Sequence, residues 1–404
     1  MQIAKILIPL LLVAVAVVGC TTQPTSAGAT ATPTPTKPVT DLQVTEIIIP
    51  PTETLTPLHP TTLDARVAEI EALMTEYERM NLFSGTVLVS ERGEVIYERA
   101  IGYANREWSI PNALDTRFRI ASLSKQFTKV LVMQLVEEGK LSLDGTIASY
   151  LPDYTGPGAD QITINLLLTH RSGIVGESAV QNLERIERDY YTHKEMLELI
   201  SGYELLYEPG TQWTYSNFGY YLLGVIIERV SGRTYAELLQ ERICVPAGMT
   251  DTFPEVTSDI IERRASGYWF DADRGFINDS PLDMSFVFGY GQLLSTVRDL
   301  YLFDIALREG KLLNAGNTNA IYAAEFRPIG DETCEAYVVE DGPASINGFR
   351  ASSHSYIRED RFIVVVENVR SGGYYLPGVF EVGRNIAAIL YGCPYNQPAP
   401  HLGD

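Results

Sequence analysis

Arg119-Ile120-Ala121-Ser122-Leu123-Ser124-Lys125 leads into an apolar-periodic stretch. Leu123, Phe127, Val130, Leu131 and Leu135 fall at offsets of 0, 4, 7, 8 and 12, which is one face of an α-helix. Ser122 and Lys125 are three apart, so their side chains can meet in a helical first turn. A serine needs a neighbouring base to become a nucleophile. A lysine is that base only when neutral, and burial and the positive end of a helix both push its pKa down. Alone, S-x-x-K equally fits a helix N-cap serine beside a solvated lysine.

Outward from this helix, the pattern is that of one folded domain over 63–395. A helix is expected from about 63 to 80, with Val67, Ile70, Leu73 and Met74 at helical spacing. Gly85-Thr-Val-Leu-Val-Ser90 and Glu94-Val-Ile-Tyr-Glu98 flank Glu91-Arg92-Gly93 and read as a β-hairpin. Residues from about 122 to 265 are mainly helical by pattern. Strand character returns at Arg350 to Tyr356 and in Arg361-Phe-Ile-Val-Val-Val-Glu367, with a turn at Glu359-Asp360. A last helix over about 377–391 carries Val382, Ile386, Ile389 and Leu390. The fold class is therefore α/β (α+β): an antiparallel sheet from about 83–121 and 275–370, flanked by helices, with a mainly helical region inserted.

The chain has 404 residues and a net charge of −20. Such a surface repels nucleic acid and argues against adhesion to anionic lipid through a basic patch. Residues 1–19 contain Lys5 and an apolar run from Ile6 to Val18, too short to span a bilayer and suited to a secretory signal. The run ends Val17-Val18-Gly19-Cys20, which resembles a bacterial lipoprotein box, so Cys20 is the expected lipidation site. Between 21 and 62, Thr and Pro supply 22 of 42 positions, a composition that cannot build a core. As a flexible tether it reaches on the order of 35 Å. The expected location is extracytoplasmic, on the membrane of a bacterial cell envelope, with a short tail over 396–404. Of the remaining cysteines, Cys244 sits in an apolar stretch, leaving Cys334 and Cys393 as the possible disulfide. The five histidines are scattered without metal-ligand spacing, and neither metal nor cofactor is expected.

A second stretch, Glu208-Pro209-Gly210-Thr211-Gln212-Trp213-Thr214-Tyr215-Ser216-Asn217-Phe218-Gly219, places Tyr215 and Asn217 just before a helix. A tyrosine serves as a base if a nearby cation stabilises its phenolate. An Asn amide can bond a substrate carbonyl and a lysine at once. A half-buried tyrosine with an ordinary loop contact is the structural alternative.

Ser122-x-x-Lys125 followed by Tyr215-x-Asn217 resembles the serine β-lactamase and penicillin-binding-protein superfamily, in the branch of class C β-lactamases, D-alanyl-D-alanine carboxypeptidases and related esterases. Phe118-Arg-Ile-Ala-Ser-Leu-Ser-Lys125, Gly139-Lys-Leu-Ser-Leu-Asp144, Leu166-Leu-Leu-Thr-His-Arg-Ser-Gly173, Gly289-Tyr-Gly-Gln-Leu-Leu-Ser-Thr296 and Gly348-Phe349 extend the match over about 83–392. The resemblance implies a β-lactamase/transpeptidase-like fold. It makes Ser122 the acylating nucleophile, Lys125 and Tyr215 its proton-handling partners, and Asn217 a substrate-orienting group. His170 belongs to a structural loop on this reading.

The family's third motif, Lys or His, then Thr or Ser, then Gly, falls here on Gly342-Pro343-Ala344. None of the three carries a side-chain charge or hydroxyl. Ser345 then takes the position whose backbone N–H would complete an oxyanion hole with that of Ser122. The missing cation weakens the case for carboxylate-bearing substrates; Arg350 or His354 is a candidate replacement. The expected function is an anchored serine hydrolase acting through a Ser122 acyl-enzyme on small-molecule or peptidoglycan-like esters or amides. The alternatives are a D-alanyl-D-alanine carboxypeptidase or β-lactamase, and a catalytically disabled binding lipoprotein.

Overall fold

A computed structural model describes residues 62–322, 325–329, 334–371 and 376–399. The signal segment, Cys20 and nearly all of the tether lie outside them. Helix α1 (Leu63–Arg79) is capped by Thr62, whose hydroxyl accepts from Ala65 N. It leads into strands β1 (Gly85–Glu91) and β2 (Glu94–Ile101). Arg92 and Gly93 both take positive φ between them, as a tight hairpin turn demands. Helix α2 (Ser124–Glu137) and helix α3 (Asn217–Ser231) are the longest of the inserted helical region. Strands β3 (Glu325–Ile329), β4 (Cys334–Ile346), β5 (Phe349–Tyr356) and β6 (Arg361–Glu367) follow, and helix α4 (Val379–Tyr391) ends the domain.

The main sheet runs β3-β4-β5-β6-β1-β2, antiparallel throughout. The chain thus closes its sheet by pairing β1, from one side of the helical insertion, with β6 from the other, Leu88 opposite Val364. The alternation of β1 and β6 explains the layers. Leu88, Val364 and Val366 face the helical region, where they join Phe127, Leu131, Phe218 and Leu222. Val87, Val89, Ile363 and Val365 face the other way, onto Ile70 and Met74 of α1 and Val382 and Ile386 of α4. A strand buried on both faces reads as a continuous apolar run, which is what 362–366 is.

The sheet is narrower in sequence than 83–121 and 275–370. β2 stops at Ile101. Phe118–Arg119 instead joins Leu293–Ser295 and Phe253–Pro254 in a separate small sheet, and Gly275–Asn278 joins Tyr268–Asp271 and Val369–Ser371 in another. Strands of two to four residues are too short to carry a period, so pattern alone merges them with their neighbours.

Cys334 and Cys393 are joined by a disulfide that ties the start of β4 to the chain beyond α4. The closed loop spans 59 residues, for which chain entropy predicts about 4 kcal/mol of stabilisation. Replacing both cysteines by serine is expected to lower the unfolding free energy by about 2–5 kcal/mol, read from the denaturant midpoint at unchanged slope. Cys244 is fully buried, and burial pushes its thiol up to about 12.

Candidate active site

Ser122 lies in a single 3₁₀ turn, Ala121–Leu123, that feeds directly into α2. Ala121 takes φ 49°, a conformation an alanine rarely adopts. The turn is held by the 289–293 segment: Ile120 N donates to Leu293 O, Leu293 N donates to Ser124 Oγ, and Thr128 Oγ1 donates to Gly289 O. Gly289 has φ 75°, and a Cβ there would lie 2.6 Å from Tyr220 O on α3. Only glycine lets this segment bridge α2 and α3 so closely.

Lys125 reaches back along α2, with Nζ 3.0 Å from Ser122 Oγ and 3.3 Å from Tyr290 O. The rings of Tyr215, Tyr220 and Tyr290 surround its amine at 4.8–5.6 Å. Burial is the main reason its pKa falls from 10.5 to about 7; the charge of Glu177 opposes the fall and that of Lys129 assists it. Tyr215 donates its hydroxyl to Ser122 Oγ at 2.8 Å. Tyr215 is 42% exposed, yet desolvation pushes its pKa up to about 12, with the bond to Ser122 opposing and the charges of Glu177 and Asp341 adding to the rise.

The loop before α3 aims Tyr215. Ser216 caps the helix, accepting from Gly219 N and donating to Val175 O. His170, with φ 56°, accepts from Ser216 N at its Nδ1 and from Thr214 N at its carbonyl. Its ring packs on that of Tyr215 at 4.5 Å. Burial lowers the His170 pKa to about 3, so the imidazole is a neutral platform beneath Tyr215.

Ser122, Asn217 and Ser345 line one cavity of about 310 Å³. Asn217 does not bond Lys125. Its Nδ2 donates to Glu177 Oε1 at 2.6 Å, and its buried Oδ1 has no partner among the described residues. Glu177 sits in a short 3₁₀ turn, Glu177–Ala179, within a loop that carries no recognisable motif. Only its place in space marks it, which is why the sequence conceals it.

The third-motif strand has a local explanation. Among the described residues, β4 has β3 as an outer neighbour only over Cys334–Val338; beyond that, β5 is its sole partner. The ladder to β5 breaks between Asp341 and Ala344, so Gly342 and Pro343 stand out of register and Pro343 leaves no bond unmade. Pairing resumes at Ala344 opposite Ala351 and Ser345 opposite Arg350. Neither candidate replacement cation serves the cavity. Arg350 pairs with Glu367 and donates to Val369 O and Pro377 O. His354 is fully buried between Glu340 and Ser352.

Residues 68–329 match the Beta-lactamase family. A penicillin-binding protein of Bacillus subtilis is 27% identical over 360 residues, covering 81% of this chain and 77% of that protein. Esterase EstB of Burkholderia gladioli is 33% identical over 199 residues, 46% of this chain and half of that protein. The crystal structure of a penicillin-binding protein from Bacillus halodurans superposes with a TM-score of 0.66 at 27% identity, covering 78% of this chain and 99% of that one. The chain belongs to the β-lactamase family and is a serine hydrolase of that fold.

Proposed function

We propose that the protein hydrolyses carboxylic esters or amides through an acyl-enzyme on Ser122. The observation that carries this is the convergence of Lys125 Nζ and the Tyr215 hydroxyl on one oxygen, Ser122 Oγ, at 3.0 and 2.8 Å. Near neutral pH Lys125 is the group available as a free base, whereas Tyr215 stays protonated. Lys125 therefore takes the Ser122 proton as the Oγ–carbon bond forms. Tyr215 passes a proton to the departing alcohol or amine as the old acyl bond breaks, and recovers one from Lys125. Water then attacks the acyl carbon and frees Ser122. The backbone N–H groups of Ser122 and Ser345, two residues that line the cavity, are the proposed oxyanion donors. Asn217 is a substrate-binding residue. Cys20 is the proposed lipid anchor, holding the domain outside the cytoplasmic membrane.

The lack of a cation at Gly342-Pro343-Ala344 favours acyl donors without a carboxylate over penicillins and D-alanyl-D-alanine stems. A panel of esters and amides tests the proposal, with a labelled penicillin run in parallel. Ser122-dependent turnover of esters with weak penicillin labelling is the expected result. Efficient penicillin labelling would move the assignment to a penicillin-recognising enzyme, and no turnover of any substrate would leave a binding protein.

A further inference from the structure

The cavity that Ser122 opens onto is strongly acidic. Glu177, Glu184 and Glu187 lie on its wall. The guanidinium on the wall, Arg370, is already neutralised by Asp279: Nε donates to Oδ2 at 2.5 Å and Nη2 to Oδ1 at 3.3 Å. Glu187 accepts from Asn347 Nδ2, which leaves carboxylates in excess.

Asn217 adds an independent demand. It is 7% exposed and lines the same cavity. Its Nδ2 donates to the Glu177 carboxylate, a group that only accepts, and this fixes which end of the amide is oxygen. The Oδ1 left over is buried without a donor among the described residues. A buried acceptor without a donor costs stability until a donor arrives. Glu177 keeps further acceptor sites beside it, since one carboxylate offers several lone pairs. An incoming carbonyl or carboxylate would leave Asn217 Oδ1 without a donor and would face the Glu177 carboxylate. A group with N–H donors and positive charge satisfies both side chains together.

We propose that the acyl half of the substrate carries a free protonated amine, received by Asn217 Oδ1 and the Glu177 carboxylate. This deepens the serine-hydrolase reading and rests on it. The preferred substrates are then amino-acyl esters or amides with an unblocked amine, and N-acylated or carboxylate-bearing analogues are discriminated against.

Binding to the Ser122→Ala variant separates recognition from turnover. Calorimetry compares leucinamide of either hand with N-acetyl-leucinamide and with 4-methylpentanamide, which lacks the amine. One enantiomer of leucinamide is expected to bind at least about ten-fold tighter than both comparison amides. A second replacement, Glu177→Gln, removes that advantage. If this variant does not fold, the pH dependence decides: the advantage must vanish as the ligand amine, of pKa about 8, loses its proton. Equal affinity for the three amides, including no binding by any, overturns the proposal, as does an advantage that survives amine deprotonation or Glu177→Gln. Acylation of the unmodified enzyme by an activated ester lacking an amine reads the nucleophile separately. If that ester acylates Ser122 while the amine preference is missing, the amine site fails alone. If the preference holds while neither that ester nor an activated leucine ester acylates Ser122, the hydrolase reading fails and the amine site stands.

Discussion

Ser122→Ala is expected to lower ester hydrolysis by more than about 10³-fold while leaving the fold intact. The side chain being removed is the meeting point of Lys125 and Tyr215, and among the described residues no other hydroxyl bonds the lysine amine. Alanine fits the 3₁₀ turn, because the turn is held by bonds from Ile120, Ser124 and Thr128 rather than by Ser122. The expected signature is therefore loss of turnover at unchanged thermal stability. Turnover within ten-fold of the parent, at about 1.4 kcal/mol of barrier, would show that Ser122 is not the attacking group.

Lys125→Met should separate activity from stability. Methionine matches the length of the lysine stem and leaves the tyrosine-lined space filled, but it removes both the base and the buried charge. Hydrolysis is expected to fall by about 10²–10⁴-fold, the usual worth of a positioned base. Stability should move the other way. Lys125 has its folded pKa lowered from 10.5 to about 7. Between those values the unfolded chain binds more protons than the folded one, so this group makes stability rise with pH through that window and weakens the fold below it. Methionine abolishes that penalty, and Tm at neutral pH should rise by at least about 2 °C. The same pKa sets the rate profile: kcat/KM of the parent should climb about ten-fold per pH unit on the acid side and level off above about 7, where Lys125 is neutral. A Glu177→Gln change removes the charge that holds Lys125 protonated, so the acid limb should shift to lower pH.

The parts of this site that lie close together in the chain were legible. Ser122 and Lys125 are one helical turn apart, and Tyr215 and Asn217 flank one residue before a helix cap, so local geometry alone brings each pair together. The continuous β-branched run Val364-Val365-Val366 likewise marks a strand, and its residues face both layers. What escaped detection depends on tertiary contact. Glu177 lies 40 residues from Asn217, in a loop without periodicity, yet it takes the Asn217 amide that family resemblance assigns to substrate and lysine. Arg350 and His354 are candidate replacements in the sequence, but Arg350 pairs with Glu367 and the His354 ring contacts Glu340, which draws both away from the cavity. His170, expected in a structural loop, lies where its backbone carries the loop that aims Tyr215, and burial keeps its ring neutral.

These contacts also bear on the proposed chemistry at a site that carries Gly342-Pro343-Ala344. In the family pattern a cation on this strand favours the tyrosine phenolate. Here desolvation drives Tyr215 towards its protonated form and Lys125 towards its neutral form. On the proposed mechanism the division of labour follows: the lysine takes the proton and the tyrosine delivers it. The same strand offers no anchor for an anionic substrate, and the acidic wall of Glu177, Glu184 and Glu187 disfavours one further.

The central claim is that Ser122 is acylated. Intact-mass and peptide mass spectrometry of the folded domain, quenched during turnover of an activated ester, tests it most directly. The account predicts a single acyl adduct on the peptide containing Ser122, growing with the neutral fraction of Lys125 and absent from Ser122→Ala. Hydrolysis that proceeds with no adduct on that peptide, or an adduct that persists in Ser122→Ala, would contradict it.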